Sequence, residues 1–539
     1  MSRKQRCSVY AMVLVVALGF RLFIALRLPN DDPGDGKVYS QIARNVLEQH
    51  VYSHDTQAPY VPSIIRLPGY PLFLAAVYAV FGHDNNTAVR VVQALIDTLT
   101  CVLIALVALQ WSIDEDRKHR AAIIAFAMAA VCPFNAIYVA TILTEVWASF
   151  LAVAMVLTAT LAFKASVRKR VIFWWIITGL IAGVSVLFRP DSGLFAAAIG
   201  VTLVLSAAVQ AWRHRTLTRI SEPFVAAVVF SLAFCIVLVP WTIRNRRVFH
   251  VFQPLAPAHG EMPGEFVPRG YLLWLRTWLD DSRYIGPVLW AVDDRPIHIS
   301  DFPKTAFDST EERERVAALL EKYNHAPDEE SAEDDDTSAA DDQSSDDEEE
   351  SDEAEEEPEQ EEPPAPEEIN VEMTPEIDAG FAQIGQERRA RSPFRYYVVM
   401  PLKRARTLWF DTHSQYYPFD GELLPLADLD YDIHQQYWLP LFAGLTFIYS
   451  LLGVIGGWLL WRSRDEHARR WLLLAALLIF LRVGFFATLE NPEPRYVVEI
   501  FPFLIILAGA GASVLKASAS GMVTDSDSDL DSVAPQTAE

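Results

Sequence analysis

Cysteine is scarce and unpaired in this 539-residue chain: Cys101, Cys132 and Cys235 lie inside apolar segments, and Cys7 stands at the start of the first one. This excludes a disulfide framework and any thiolate cluster with metal-ligand spacing. The twelve histidines are scattered without ligand spacing, and HExxH, GxSxG, paired CxxC and a glycine-rich loop ending in GK[ST] are all missing. Those absences argue against zinc proteolysis and nucleotide hydrolysis. Internal repeats are lacking as well.

Basic residues are absent where acid is most concentrated. The formal charge of −24 comes from one run, Asp328 to Glu368, which holds about 24 carboxylates and no Lys or Arg. The rest of the chain is near neutral, so the charge points to no acidic or nucleic-acid partner. A run of this kind cannot bury enough apolar surface to offset its ordering entropy and is expected to be a disordered insert. The same reading covers Asp525 to Asp531 and, with it, a cytoplasmic tail over 516–539.

Apolar blocks are what the chain has in abundance. Its 51% hydrophobic content is packed into stretches that are apolar around the whole helical circumference and long enough for a ~30 Å hydrocarbon core. The predicted spans are Val9 to Leu28, Ala88 to Trp111, Ala121 to Ala140, Val146 to Phe163, Val171 to Phe188, Ser192 to Val209, Phe224 to Trp241, Tyr437 to Trp461, Trp471 to Leu489 and Val497 to Leu515. The expected fold class is therefore an all-α polytopic membrane protein of about ten helices. Arg3, Lys4 and Arg6 precede the first span, but no small-residue cleavage site follows Leu28, so that span reads as an uncleaved membrane helix.

Leu67 to Gly82 is apolar too, but it opens with Pro68 and Pro71 and as a helix would reach only ~24 Å. Loop charge decides its place. Lys and Arg are concentrated in Met1 to Arg6, Ser112 to Arg120, Lys164 to Arg170, Trp212 to Arg219 and Arg462 to Arg470. These share one side only if 67–82 does not cross, which makes it a re-entrant or interfacial helix and puts both termini in the cytoplasm. The expected organisation is a membrane module over 1–243 with an outer catalytic loop at 29–87, a large outer loop over 244–436 carrying the insert 328–368, and C-terminal membrane helices over 437–515.

Within the first outer loop, Tyr39, Ile42, Ala43, Val46 and Leu47 recur at helical spacing and predict an amphipathic surface helix. Arg391 to Phe410 interleaves apolar and basic residues and suggests a second. Carboxylates gather outside at Asp31, Asp32 and Asp35, with Glu145 at a short outer turn; placed there they can act as general bases or hold a cation. Asp35 also suits a helix N-cap. Arginines cluster at or near the same face: Arg21, Arg66, Arg189, Arg244, Arg246, Arg247, Arg482 and Arg495. A guanidinium fork is suited to a phosphate dianion. Arg21 and Arg482 fall within spans, where snorkelling to the interface is the simplest expectation.

The outer-face residues form an ordered set. Gly34-Asp35-Gly36-x-x-Tyr39-x-x-x-Ala43-x-Asn45 is followed by Arg66-Leu67-Pro68-Gly69-Tyr70-Pro71-Leu72-Phe73-Leu74. Then come Leu143-Thr144-Glu145, Phe188-Arg189-Pro190, Pro240-Trp241-Thr242-Ile243-Arg244-Asn245, and Glu493-x-Arg495-Tyr496 leading into Pro502. Together these motifs resemble the C-type glycosyltransferases related to protein O-mannosyltransferases and lipid A aminoarabinose transferases; the acidic insert is not a feature of that family.

The resemblance implies the C-type fold and an inverting transfer of a sugar from a polyprenyl-phosphate carrier to an acceptor at the outer face of the plasma membrane. The acceptor is open among a protein, a lipopolysaccharide and a lipid-linked glycan. It also implies Asp35 as the base and Glu145 as the second outer acid, with Arg66, Arg244 and Arg495 for the donor phosphate and Tyr39, Tyr70 and Tyr496 lining the site. A divalent cation at Asp35 and Glu145 stays an open alternative. So do a non-enzymatic flippase or transporter of a lipid-linked sugar and a transferase using a pyrophosphate-linked donor.

Overall fold

The computed structural model describes residues 2–28, 34–214, 221–257, 259–325, 371–410 and 433–515. The acidic insert, the C-terminal tail, Asp31 and Asp32 lie outside the described residues. Among those described, all regular structure is helical. The first half comprises α1 (Arg3–Arg27), α2 (Gly34–Glu48), α3 (Gly69–Phe81), α4 (Asn86–Trp111), α5 (Lys118–Ala130), α6 (Pro133–Ala136), α7 (Glu145–Lys164), α8 (Arg168–Phe188), α9 (Gly193–His214) and α10 (Ser221–Val248). The second half holds α11 (Arg269–Leu275), α12 (Ile285–Val288), α13 (Thr310–Asn324), α14 (Pro375–Arg391), α15 (Met400–Phe410), α16 (Ile433–Arg462), α17 (Glu466–Ala487) and α18 (Phe501–Ala512).

Among the described residues, nine helices are long and apolar enough to cross a membrane, or ten with a bent pair counted as one span. The chain is a multi-span membrane protein. The bent pair is the expected span Ala121 to Ala140, which breaks by 51° between Lys118–Ala130 and Pro133–Ala140. Pro133 has no N–H to offer Ala129, so the helix cannot continue through it. Arg21 reaches into the break and donates to the carbonyls of Ala129 (3.1 Å) and Ala130 (2.9 Å), while its Nε lies 2.6 Å from the buried carboxylate of Asp97. Snorkelling is thus not what Arg21 does: it is 1% exposed and closes a helix end inside the bundle.

Contacts define two ends of the bundle. At one, Tyr10 bonds His119, Lys164 donates to Gln110 and Arg117 donates to the carbonyl of Leu515. This is the basic end, and it holds the start of α1 and the end of α18. At the other end, Arg90 near the start of α4 donates to the carbonyls of Leu28 and Ala140, and Gln93 donates to that of Thr141. The segment from Leu28 to Asn86 therefore leaves and returns at the same end. The 13-residue α3, ~20 Å long, packs there against α2 and does not add a crossing.

Residues 249–325 and 371–410 also sit at this second end. Tyr271, Trp274, Trp278, Phe302 and Phe381 form a separate aromatic core. Asp378 of α14 accepts from the amides of Gly270 (3.0 Å) and Tyr271 (2.8 Å), capping α11 from another element. Arg404 of α15 binds this module to α17: it is 1% exposed and donates to the carbonyls of Leu279, Arg276 and Ala487.

Candidate active site

At the end of the bundle opposite the basic loops, α2, the 65–67 strap, the start of α7, the end of α8 with the turn after it, the segment around Pro257 and Gly260 and the turn before α18 converge on a cavity of about 730 Å³. Its wall includes Asp35, Tyr39, Arg66, Glu145, Arg189, Arg495 and Tyr496 on the polar side and Leu67, Leu143 and Phe188 on the apolar side. Six of the eight sequence-assigned site residues are therefore brought together.

Asp35 lies in the first turn of α2 with its carboxylate turned to two arginines. Nη2 of Arg66 donates to Oδ1 at 2.8 Å, and Nη2 of Arg495 stands 3.4 Å from Oδ2. Burial pushes this carboxyl up, but the Arg495 and Arg66 guanidiniums outweigh it and hold Asp35 below the ordinary carboxylate value. Burial, reinforced by the Asp35 charge, pushes the Tyr39 phenol up to about 12, so it stays protonated and available as a donor. Its ring meets that of Tyr70 edge-on at 5.1 Å.

Glu145 opens α7, 3% exposed, where the helix N-terminus favours a negative charge. Arg189 donates to Oε1 at 2.7 Å, and Oε2 is buried with no hydrogen-bond partner among the described residues. Arg189 also pairs with Asp191 at 3.0 Å and lies 3.6 Å from Glu499. Arg482 completes the group, with Asp191 at 3.1 Å, Glu499 at 2.8 Å and the Tyr496 carbonyl at 2.6 Å. A second correction follows: Arg482 is fully buried and pins the 494–500 turn instead of reaching the interface. On that turn Arg495 is held by Glu493 at 2.6 Å, and Tyr496 stacks on Phe486 at 4.7 Å. Burial raises the carboxyl of Glu493 even beside Arg495.

Two assigned residues stand behind the wall. Tyr70 is fully buried and donates to Gln93 at 2.8 Å, which locks α3 against α4. Arg244 donates to the carbonyl of Ser63 at 2.8 Å and sits over the rings of Trp241, Phe249 and Tyr52. It braces the strap that carries Arg66. The sequence reading missed Asp191, Glu499, His259 and Trp290. Asp191 follows the Phe188-Arg189-Pro190 motif in the short turn between two apolar runs, Glu499 is a single acid within an apolar run, and the last two come from turns without regular spacing. Among the described residues no group of three His, Cys, Asp or Glu side chains is placed to hold a metal ion.

Comparison with known proteins gives one match in sequence and several in shape. The model of the family described as dolichyl-phosphate-mannose-protein mannosyltransferase matches residues 62–241. No curated protein sequence matches significantly. Among solved structures, the chain is similar to the archaeal oligosaccharyltransferase AglB from Archaeoglobus fulgidus in complex with an inhibitory peptide and a dolichol-phosphate. The TM-score is 0.46 and the identity 12%, over 95% of this chain and 51% of that one. It is also similar to ArnT from Cupriavidus metallidurans bound to undecaprenyl phosphate, with a TM-score of 0.35 and 12% identity over 95% of this chain and 78% of that one. The chain spans about half the length of the oligosaccharyltransferase it matches. The matched segment, 62–241, holds Arg66, Glu145 and Arg189, and there the resemblance read from the ordered motifs is met by a family model.

Proposed function

We propose that the chain is an inverting glycosyltransferase that moves a sugar from a polyprenyl-phosphate donor to an acceptor hydroxyl, at the outer face of the plasma membrane with both termini cytoplasmic. The observation that carries this is the cavity itself: one carboxylate between two partly exposed arginines, with a buried acid beside them, at the end of the bundle remote from the basic loops. A transporter of lipid-linked sugars would be expected to bind near the midplane between interrupted helices.

In this reading the donor phosphate takes Arg66 and Arg495, with Arg189 behind them, and Leu67, Leu143 and Phe188 receive the first isoprene units. Asp35, released from its ion pairs, accepts the proton of the acceptor hydroxyl. The acceptor oxygen attacks the anomeric carbon from the face opposite the phosphate. As that bond forms, the bond from carbon to phosphate oxygen breaks, and its electron pair leaves on the phosphate, whose growing charge the arginines stabilise. No general acid is required. Glu145 and Tyr39 orient the acceptor or the sugar.

The carboxylates at this site face arginines, which supply the positive charge a divalent cation would otherwise bring, so transfer should survive chelation. Residues 1–243 and 437–515 form the membrane part of this enzyme, and 244–436 its outer part. The test is release of free polyprenyl phosphate from labelled donor by protein in nanodiscs, with and without EDTA. Donor that stays intact with every acceptor fraction would overturn the proposal.

A further inference from the structure

Among the described residues four tryptophans are strongly exposed: Trp212 (83%), Trp461 (68%), Trp290 (55%) and Trp458 (54%). Three lie on α9 or α16, long apolar helices whose outer surface meets lipid. Trp290 does not. It sits in the turn after α12, its amide held by the carbonyl of Ile285 at 3.1 Å, and its indole lines the active-site cavity. No hydrogen bond or ring contact with a described residue engages that indole. Trp274 and Trp278, by contrast, are buried and meet each other tilted by 59° at 5.6 Å. Sharing the cavity wall is His259, exposed on a segment whose turn is fixed by Gly260 at φ +75°, where a Cβ would stand 3.3 Å from Arg66.

An exposed indole that shares a cavity wall with an imidazole and with charged side chains matches a sugar ring. The ring's C–H face is apolar and covers an aromatic surface, while its edge hydroxyls seek hydrogen bonds. A peptide acceptor needs something else. A peptide bound by strand addition needs a sheet edge, and the described residues contain no strand. We propose that Trp290, with His259, is the acceptor platform and that the acceptor is a saccharide, free or lipid-linked, rather than a serine or threonine of a protein. This deepens the transferase reading and rests on it for the word acceptor; binding at the platform does not depend on catalysis.

The experiment uses the full chain in nanodiscs, applied to an array of mono- to tetrasaccharides and, beside it, an array of serine- and threonine-containing peptides. Wild type is expected on saccharide spots. Trp290→Ala should lose about tenfold or more of that binding, and Trp290→Phe should keep most of it, which separates a lost platform from a lost fold. In transfer assays the acceptor KM of Trp290→Ala should rise by a larger factor than kcat falls. Binding by Trp290→Ala equal to wild type, wild-type preference for the peptides, or wild-type binding to neither array would overturn the proposal. Trp290-dependent saccharide binding by a wild type that cleaves no donor would instead sink the transferase reading and leave the platform standing.

Discussion

Asp35 is the residue on which the chemistry turns, and its ion pairs make its basicity depend on the donor. Two guanidiniums hold its pKa below the ordinary carboxylate value, so it is charged throughout the neutral range but a weak base. Phosphate binding draws those arginines away and lets the pKa rise. Because kcat/KM reports the free enzyme and kcat the complex, the acid limb of kcat should lie at higher pH than that of kcat/KM. Coincident limbs would show that the arginines stay on Asp35. The sign for stability is the usual one for a depressed carboxyl: the contribution is present above the unfolded pKa and lost as pH falls through the lower folded value. Behind this pair, Glu499 and Arg482 act by position. Glu499→Gln keeps the shape but removes one charge from a group holding Asp191, Glu145, Arg189 and Arg482. It should lower transfer by changing the tilt of the 494–500 turn, with Arg495, and should raise donor KM more than acceptor KM. Equal effects on both would contradict that role. Asp35, Arg66 and Arg495 were legible in the sequence because they stand in loops with local motifs. Glu499 was not, since a single acid in the apolar run 497–515 looks like noise until its buried partners are known.

Helix by helix, composition located the nine candidate spans of the described residues, the bent pair and the amphipathic α2, because a bilayer imposes length and a surface imposes period. What it missed was the interior of the third span, where Cys132-Pro133 interrupts the helix and Arg21 satisfies the freed carbonyls. Arg21→Met should therefore leave Asp97 as an unpaired buried charge and cost about 3–5 kcal/mol; Arg21→Met with Asp97→Leu should recover much of that in thermal unfolding of the detergent-purified protein. A single variant as stable as wild type would mean that the pair is dispensable. Close packing gives a second case. A Cβ at Gly456 of α16 would run into the backbone of Leu507 and Ala508 in α18, and Gly511 lies against Gly456 in turn. Small residues at such crossings let membrane helices approach backbone to backbone. Gly456→Leu should lower the unfolding temperature clearly, whereas Gly444→Leu, where a Cβ meets open space, should not.

At the scale of the molecule, two halves distant in sequence build one site. Asp35 and Arg66 come from the segment between α1 and α4, Glu145 from the start of α7, Arg189 from the turn after α8, and Arg495 from the turn before α18. The module with the aromatic core reaches them through Arg404 and through the pair between Arg276 and Glu490 at 2.5 Å, and the 249–325 segment adds the rim with His259 and Trp290. The basic residues and the cavity occupy opposite ends of the bundle. The rim was hidden because its residues belong to turns whose geometry is set by tertiary contacts. The most direct measurement reconstitutes the purified protein with radiolabelled polyprenyl-phosphate sugars and membrane extract of its own host, and compares wild type with Asp35→Asn for release of free polyprenyl phosphate. Wild type should release it with label moving to acceptor, and Asp35→Asn should be slower by 10²-fold or more. Near-normal release by a well-folded Asp35→Asn protein would remove Asp35 as the base, and donor left intact by wild type while label moves between leaflets would contradict the enzyme account altogether.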